Sequence, residues 1–563
     1  MPSCAQPPRL ARHLARAPPP APPSPRGGGC ARRPAAQGGS RGGDALRFGA
    51  RYGSSDSLPR ACLPAPLTRV PGLAFGIAIR SIVLSLQWEK LVGENFGARL
   101  DAVARRRADA AAILCDEESL SWREIELRAG GVARRLSRQG VRAGDTVALQ
   151  LPNGWGFVAA LWGAFKVGAT VSPINPLLSA EERRKVLGHL EPALVVEEVR
   201  EEEAVWDSVG ATGPALVLYT SGSTGEPKGA VLSHAALRAA NESWAGPVMG
   251  LVPGDIVLAA LPLAHSFGLN GALLAPLLAG ATVAVLERFT PEAALRAISG
   301  HCVTVLPAVA TMFQRILEAP GLSLDGLGSL RLALSGAAPC PWELARQWKK
   351  RTGVRILRGY GMTELFRPIS YLADDPTDLP DSIGRAVPGV EVRIMSEERS
   401  ALGAGEIGEL WIRTPAVLDV YLRAPEETKA VIEDGWFRTG DLATISADGF
   451  VTIVGRKKEL ILRGGYSVVP GEVEAALLGH PAVAEAAVVG IAHVELGEEI
   501  AAFVALRPGM RVTGEELVAF CRDRLASFKY PRTVSIVADL PKSATGKVLK
   551  TRLHTGRNYT SDS

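Results

Sequence analysis

The chain has 563 residues, of which 47% are hydrophobic and 21% charged, ordinary values for a soluble globular enzyme with several domains or with one large and one small domain. Its net charge of +5 comes entirely from residues 1–80, which hold 12 arginines, no lysine and only two acids. Because residues 81–563 carry a net charge of −5, the composition argues against a basic surface for nucleic acid.

Residues 1–80 contain 14 of the 40 prolines, and their few apolar residues follow no period. Such a segment buries too little surface to offset its ordering entropy, so we predict that it is disordered. An arginine-rich, acid-poor N-terminus is also typical of organelle transit peptides; the alternatives are a GC-biased coding sequence or a start codon assigned too early. We expect a cytoplasmic protein, with an organelle as the alternative.

An apolar run follows at Leu73–Leu86, but Arg80 interrupts it and it is too short to cross a bilayer. The seven cysteines form no C-x-x-C pair, and the eight histidines form no H-E-x-x-H pattern. The sequence therefore predicts no stable membrane insertion, no disulfide framework and no zinc site.

Helices and strands alternate from about residue 85. Helical periodicity predicts helices at Phe96–Ala108, Ser121–Leu136, Trp155–Val167 and Ala180–Leu190. Apolar runs predict strands at Thr146–Leu151, Ala169–Pro173, Ala215–Tyr219, Ile256–Ala260, Thr282–Leu286, Val303–Leu306 and Leu330–Ser335. This alternation predicts an α/β fold in which helices flank parallel-rich, doubly wound sheets.

The pattern changes after Gly408. Glu409–Arg413 and Phe450–Val454 alternate apolar and polar residues, as half-buried antiparallel strands do. The charged connector Gly455–Glu459 follows. Beyond it, four elements predict a small α+β domain: helices Glu472–Leu478 and Gly514–Leu525, and strands Ala486–Gly490 and Ile500–Leu506.

The segment Tyr219–Gly229 (YTSGSTGEPKG) follows a predicted strand and is rich in glycine and hydroxyl residues. Its glycines let backbone N–H groups converge on anionic oxygens, and its hydroxyls and Lys228 add donors. We therefore predict a polyphosphate-binding loop. It does not match the pattern G-x-x-x-x-G-K-[ST], and a flexible linker, the alternative, would not normally carry Pro-Lys-Gly before an apolar helix.

This loop resembles the phosphate loop of the adenylate-forming enzymes, which include acyl-CoA synthetases, luciferases and peptide-synthetase adenylation domains. Further segments follow in that family's order: Tyr360–Glu364 (YGMTE), Thr439–Asp441 (TGD), Gly455–Glu459 (GRKKE) and Pro541–Lys547 (PKSATGK). The resemblance spans about residues 88–555. Beyond the extension at 1–80, whose disorder is predicted from composition, it implies a large AMP-binding domain at 81–456 and a small mobile α+β lid domain at 457–563.

The resemblance also implies how ATP and Mg²⁺ bind. The phosphates would contact the loop residues Thr220, Ser221, Gly222, Ser223, Thr224, Gly225 and Lys228. Adenine would lie against two segments: Gly336, Ala337 and Ala338 of Ser335–Pro339, and Tyr360, Gly361, Met362 and Thr363. Asp441 and Arg456 would bind the ribose, and Glu364 and Thr220 would hold Mg²⁺, an ion that prefers hard oxygen ligands. The alternatives are a surface acid for Glu364 and a turn residue for Asp441.

Attack of a carboxylate on the α-phosphate brings two anions together, so cations and preorganised donors must offset the repulsion. By resemblance Lys547 supplies the cation, and the ring of His265 packs beside the substrate carboxylate. Lys458 would be the hinge about which the C-terminal domain rotates, and Gly464 and Gly465 would line the tunnel for the pantetheine arm of coenzyme A. The alternative for Lys547 is an exposed lysine, and for His265 a structural histidine. For Lys458 it is a solvated charge run, and for Gly464 and Gly465 a plain turn.

The reaction expected is ATP-dependent formation of a thioester between coenzyme A and a carboxylic acid. Only 16 residues follow Lys547, so we favour free coenzyme A over a tethered carrier arm. The segments expected to line the acid pocket (265–271, 307–312 and 335–338) are apolar and small, which favours a medium- or long-chain fatty acid or a hydrophobic ring acid. The alternatives are an acyl-AMP ligase that loads a separate carrier protein, and an aryl-acid CoA ligase. Intact Lys547, Glu364 and Asp441 argue against a non-catalytic AMP-binding regulator.

Two arginines depart from the family pattern. Arg358 stands where a neutral residue is common, and Arg367 where small or polar residues are common. Either arginine could tune the site or pair with Asp374 or Asp375. Leu462 and Ser467 replace polar contacts of the plant hydroxycinnamate ligases, which makes that subclass less favoured.

Deleting residues 1–80 should leave kcat unchanged, because every segment that resembles the family lies C-terminal to them. Pyrophosphate release by the full and shortened chains, measured side by side, checks this. A collapse of kcat in the shortened chain would show that the extension belongs to the enzyme.

Overall fold

The structure is a computed structural model that describes residues 94–115, 118–210, 213–221, 227–319, 325–373, 375, 379–542 and 548–553. The predicted disorder of residues 1–80 therefore concerns a segment outside the described residues. None of the helices within these ranges combines the length and the apolar composition that a bilayer crossing requires.

Helices and strands alternate through most of the described chain. The helices are α1 (Phe96–Arg107), α2 (Trp122–Arg138), α3 (Trp155–Lys166), α4 (Ala180–Leu190), α5 (His234–Ser243), α6 (Ala275–Ala279), α7 (Pro291–His301), α8 (Ala310–Glu318), α9 (Trp342–Thr352), α10 (Pro425–Val431), α11 (Pro470–Leu478) and α12 (Gly514–Arg522). The strands are β1 (Ala111–Cys115), β2 (Glu118–Ser121), β3 (Thr146–Leu149), β4 (Thr170–Pro173), β5 (Leu194–Val196), β6 (Leu216–Ser221), β7 (Pro227–Leu232), β8 (Ile256–Ala259), β9 (Thr282–Val285), β10 (Val305–Ala308), β11 (Leu332–Ser335), β12 (Ile356–Leu357), β13 (Gly359–Met362), β14 (Phe366–Ser370), β15 (Arg385–Ala386), β16 (Glu391–Met395), β17 (Gly408–Arg413), β18 (Val420–Tyr421), β19 (Ile432–Glu433), β20 (Trp436–Ile445), β21 (Val451–Arg456), β22 (Ile461–Arg463), β23 (Tyr466–Val468), β24 (Val483–His493), β25 (Gly497–Leu506) and β26 (Thr533–Val537).

Two parallel-rich sheets form the large N-terminal domain. The first has seven strands in the order β12-β11-β10-β8-β9-β1-β2, and only the β1–β2 pair is antiparallel. The second has six strands in the order β18-β7-β6-β4-β3-β5, parallel from β5 to β6 and antiparallel at β6–β7 and β7–β18. The predicted α/β class is confirmed.

Helix α3 lies in the core, because its sequence is apolar on nearly all sides and every residue from Phe157 to Lys166 is buried. Lys166 is the one charged residue among these buried side chains. Its Nζ lies 2.7 Å from Oδ1 of Asp101 and also donates to the carbonyl of Trp206 at 2.8 Å. The buried charge is therefore paired, as the cost of desolvation requires.

An antiparallel sheet lies in the chain between the two parallel-rich sheets and the C-terminal domain. It has the order β16-β17-β20-β19, with β21 also paired to β20, and the single helical turn Lys457–Glu459 connects β21 to β22. The C-terminal domain then forms one mixed sheet, β23-β22-β25-β24 with β26 parallel to β25, together with α11 and α12. This confirms a small α+β domain after the large one.

Some element bounds differ from the prediction for physical reasons. Strand β10 begins at Val305 rather than Val303, because the N–H of Val303 donates to the carbonyl of Ile298 and closes helix α7. The predicted strand Ala486–Gly490 is only the buried centre of β24, which continues as a hairpin to the His493–Gly497 pair. The hairpin's outer residues are exposed, so apolar periodicity does not detect them.

Candidate active site

The side chains of Tyr360 and Arg456 both contact the carboxylate of Asp441. Asp441 on β20 and Arg456 on β21 are paired in register, and Arg456 Nε lies 3.0 Å from Asp441 Oδ1. The hydroxyl of Tyr360 donates to Asp441 Oδ2 at 2.5 Å. The backbone N–H of Asp441 donates to the Thr439 hydroxyl at 3.1 Å, which fixes the turn. The structure thus brings together the predicted adenine and ribose segments.

Burial, followed by the Asp441 carboxylate, holds the pKa of Tyr360 well above its ordinary value. The phenol therefore stays protonated and donates to Asp441. The carboxylate side chain is only 5% exposed, whereas that of Arg456 is 48% exposed and reaches solvent. A carboxylate has lone pairs beyond those used by Tyr360 and Arg456, so it can also accept hydrogen bonds from a pair of hydroxyl groups.

Glu364 lies in the turn between β13 and β14, and Tyr421 holds it in place. The hydroxyl of Tyr421 donates to Glu364 Oε1 at 2.7 Å, and the N–H of Leu418 donates to the carbonyl of Glu364 at 2.8 Å. Burial and the Glu364 carboxylate raise the pKa of Tyr421, so this hydroxyl is a donor at neutral pH. One carboxylate with free lone pairs, supplemented by phosphate oxygens, is a donor set that Mg²⁺ accepts in proteins, so the residues fit the ion.

The β6–β7 hairpin carries the predicted phosphate loop. Thr220 and Lys228 face each other across the hairpin, and Tyr421 of β18 pairs with Ala230 of β7. Lys228 Nζ lies 5.9 Å from the centre of the Tyr421 ring and forms an ion pair with Glu427. Glu364 and Lys228 therefore contact the same tyrosine. Of the predicted loop residues, Gly222, Ser223, Thr224 and Gly225 lie outside the described residues, as does the side chain of Ser221.

A cavity of about 410 Å³ opens beside Lys228. Its wall includes the cations Lys185, Lys228 and Arg423, and the acid Glu427, which pairs with Lys228. His189 also lines it and bonds to the Tyr219 hydroxyl at 2.8 Å, and burial lowers the pKa of this histidine. Two of these cations are already paired, Lys228 with Glu427 and Arg423 with Glu191, so a polyanion would compete with these acids for them.

The loop Ser335–Ala338 follows β11 and reaches the end of the seven-stranded sheet. Ala337 has a φ of +64°, a left-handed backbone that costs a non-glycine residue free energy. A Cβ atom on Gly336 would lie 3.2 Å from the Phe267 ring, so only a glycine fits there without displacing that ring. Carboxyl ends of parallel strands are where α/β sheets bind ligands, which agrees with the predicted position of adenine and acid.

His265 lies at the start of the same region, two residues before Phe267. Burial lowers the pKa of its imidazole, so the ring is neutral at pH 7. Its carbonyl accepts from the N–H of Leu269 at 2.8 Å, which begins the π-helical segment Gly268–Leu274. A neutral imidazole carries one N–H, on Nδ1 or Nε2 according to its tautomer, and can donate that hydrogen to a carboxylate.

Most of the remaining predicted residues lie in or beside turns. Gly361 lies in the β13–β14 hairpin, where a Cβ atom would come within 1.8 Å of the Phe366 carbonyl oxygen, and Met362 pairs with Phe366. Gly464 and Gly465 form the β22–β23 turn with φ values of +56° and +85°, which explains glycine at both positions whatever its function. Lys458 lies in the turn between the two domains, where a hinge is expected. Lys547 lies outside the described residues.

Sequence reasoning missed Tyr421, because an isolated tyrosine in a two-residue strand carries no pattern. It also left open whether Arg358 and Arg367 pair with Asp375. Asp375 pairs with Arg385 instead, while Arg358 donates to the carbonyls of Leu379 and Pro380. Arg367 is likewise bound to carbonyls. The other suggested partner, Asp374, lies outside the described residues.

A large α/β domain followed by a small α+β domain, with these clustered carboxylates and cations, is the architecture of an adenylate-forming enzyme. The family model described as AMP-binding enzyme matches residues 100–211 and 203–422, and the AMP-binding enzyme C-terminal domain matches residues 472–547. The chain belongs to the AMP-binding enzyme family and is a ligase of its AMP-forming type.

Known proteins of this family are similar over most of the chain. A feruloyl-CoA synthase of an Amycolatopsis species is 35% identical over 479 residues, which cover 79% of this chain and 96% of the relative. A long-chain-fatty-acid–CoA ligase of Bacillus subtilis is 31% identical over 517 residues, covering 80% and 92%. The ATP-bound crystal structure of MatB from Rhodopseudomonas palustris superimposes with a TM-score of 0.77 at 32% identity, covering 82% and 98%.

Proposed function

We propose that the protein joins a hydrophobic carboxylic acid to coenzyme A in two half-reactions that consume ATP. In the first, a carboxylate oxygen attacks the α-phosphate, and pyrophosphate leaves. In the second, the thiol of coenzyme A attacks the carbonyl of the acyl-adenylate, and AMP leaves. A medium- or long-chain fatty acid is the first candidate substrate.

The observation that carries this proposal is the convergence of Tyr360, Asp441 and Arg456. A buried carboxylate, held by a phenol from β13 and a guanidinium from β21 of another sheet, matches what two ribose hydroxyls require: a rigid acceptor with spare lone pairs. Lys228, linked through Tyr421 to Glu364, supplies the positive charge for the phosphates nearby. Mg²⁺ bound at Glu364 would offset further phosphate charge.

In this proposal the chain's own residues position and neutralise the reacting groups. Neutral His265 packs beside the acid without adding charge. Lys547 contacts the α-phosphate in the first half-reaction. Rotation about Lys458 then withdraws Lys547 and presents the Gly464–Gly465 turn to the pantetheine arm. The boundary of the mobile domain would therefore lie at residue 457.

An aryl-acid CoA ligase is the second candidate, because the feruloyl-CoA synthase is among the relatives that cover most of the chain. The apolar lining of the expected acid pocket, with Phe267 and Met312 buried, accepts a ring as readily as an alkyl chain. An acyl-AMP ligase that serves a carrier protein is the third.

A pyrophosphate-release screen with fatty, aryl and amino acids, run with and without coenzyme A, separates these candidates. We expect release with at least one hydrophobic acid, and AMP and thioester in equal amounts when coenzyme A is present. Product that forms only with a carrier protein would favour the third candidate. No release with any acid would contradict the proposed ligase function.

A further inference from the structure

Arg367 places a buried guanidinium across the ends of two parallel strands. The residue lies on β14 and is 5% exposed. Its Nη1 donates to the carbonyl of Ser335, the last residue of β11, at 2.9 Å, and its Nη2 donates to the carbonyl of Leu357, the last residue of β12, at 2.9 Å. Its Nε donates to the Ser370 hydroxyl at 3.0 Å. The group thus occupies the strand ends at which α/β sheets bind ligands.

This cation has no counter-charge in the described part of the chain, where no carboxylate forms an ion pair with it. Cys340 lies nearby, but burial raises the pKa of its thiol, so it is neutral at pH 7. Burial also lowers the pKa of Arg367 to about 9. Carbonyl dipoles solvate the guanidinium without neutralising it, so an arriving anion would be stabilised there.

The guanidinium faces the same small region as two aromatic rings. A Cβ atom on Gly336 would lie 3.3 Å from Arg367 Nη1 and 3.2 Å from Phe267. The Trp244 ring lies 5.2 Å from the guanidinium carbon and stacks on Phe267 with ring centres 5.6 Å apart. The side of Gly336 therefore meets an apolar wall and one buried positive charge at contact distance, so a ligand would enter there only as the Phe267 ring moves aside.

We propose that Arg367 binds a second anionic group of the acid, a carboxylate or sulfonate remote from the carboxylate that is activated. The inference rests on the proposed function and narrows the fatty and aryl acids considered there to those whose apolar body carries a second anionic group. A guanidinium has five N–H donors, and the described residues accept three of them, so two remain for the anion. Phe267 and Trp244 would pack against the apolar body.

Matched acids test this on the unmodified enzyme. Pyrophosphate release is measured for octanedioate against octanoate and for terephthalate against benzoate, with monomethyl octanedioate as the neutral analogue. We expect kcat/KM for the better diacid to exceed that of its monoacid by about 30-fold or more, as for a buried charge pair. A monoacid or the neutral ester used as well as the diacid would overturn the inference while leaving the ligase function intact. No release with any acid would overturn the ligase function itself.

Variants test the residue. Arg367→Met should lower the diacid-to-monoacid ratio of kcat/KM by about 30-fold, and Arg367→Lys should keep part of the preference. The ratio comes from a single sample, so partial unfolding cancels. Arg358→Met is the matched control, because Arg358 is equally buried and carbonyl-bound but contacts Leu379 and Pro380. Equal loss with both acids in Arg367→Met would show that the arginine is only structural.

Discussion

Replacing Lys547 by alanine should slow formation of the acyl-adenylate by about 10²–10³-fold while sparing thioester formation from supplied acyl-adenylate. The lysine is expected to contact the α-phosphate and the attacking carboxylate only in the first half-reaction, where two anions must approach each other. Removing a preorganised donor of this kind costs about 10²–10³-fold in kcat. Two assays measure the effect: pyrophosphate release for the first half-reaction, and thioester formation from synthetic acyl-adenylate for the second.

The contrast between the assays is the informative result. Arg511→Ala is the control, an exposed cation of the same domain that should leave both half-reactions unchanged. Equal loss in the two assays for Lys547→Ala would mean that the lysine supports the fold of the C-terminal domain or acts in both steps. The rotation about Lys458 would then have no role in withdrawing it.

The sequence predicts the N-terminal α/β fold well because its signals are local. Short apolar runs predict β3 and β4, amphipathic periodicity predicts α1, α2 and α4, and a longer apolar run predicts the buried helix α3. The capping pairs Ser121–Glu124 and Ser179–Glu182 begin α2 and α4. The antiparallel hairpins were harder to predict. Strand β13 has a Tyr-Gly-Met sequence with no period, and only its pairing with β14 makes it a strand.

The candidate site shows the same division between local and long-range information. The phosphate loop, Asp441 and Arg456 each lie in a segment whose composition indicates ligand binding. Their mutual contacts depend on sheet register, such as the Asp441–Arg456 pair. Tyr421 and the unpaired charge of Arg367 become visible only when elements separated by many residues pack together. No local pattern carries that information.

Replacing Asp441 should weaken ATP binding strongly. Two variants separate the loss of its negative charge from the loss of its hydrogen bond with Tyr360. Asp441→Asn keeps the side-chain volume and still accepts a hydrogen bond from the Tyr360 hydroxyl. It loses the negative charge, and that charge both holds Arg456 and strengthens the hydrogen bonds from the ribose hydroxyls. Because hydrogen bonds to charged groups contribute about 1.5–3 kcal/mol, we expect KM for ATP to rise by roughly 10- to 100-fold with little change in Tm.

Asp441→Ala should lose ATP binding and stability together. The buried phenol of Tyr360 would have no acceptor, and an unsatisfied buried polar group costs about 1–3 kcal/mol in the free energy of unfolding. Thermal unfolding of the two variants measures this difference. Equal Tm values for Asp441→Asn and Asp441→Ala would contradict a supporting role of Asp441 for Tyr360.

The ribose role itself is tested with 3′-deoxy-ATP, which lacks one of the hydroxyls that Asp441 should bind. The wild-type enzyme should use ATP better than 3′-deoxy-ATP, and Asp441→Asn should discriminate much less, because the lost hydroxyl and the lost charge remove the same interaction. Glu409→Gln is the matched control: it is a buried carboxylate of the same sheet that pairs with Arg438 and Lys457 rather than with a predicted ribose-binding residue, so its loss should change stability without changing discrimination. Discrimination preserved in Asp441→Asn would place the ribose elsewhere and leave the carboxylate as a purely structural link between Tyr360 and Arg456.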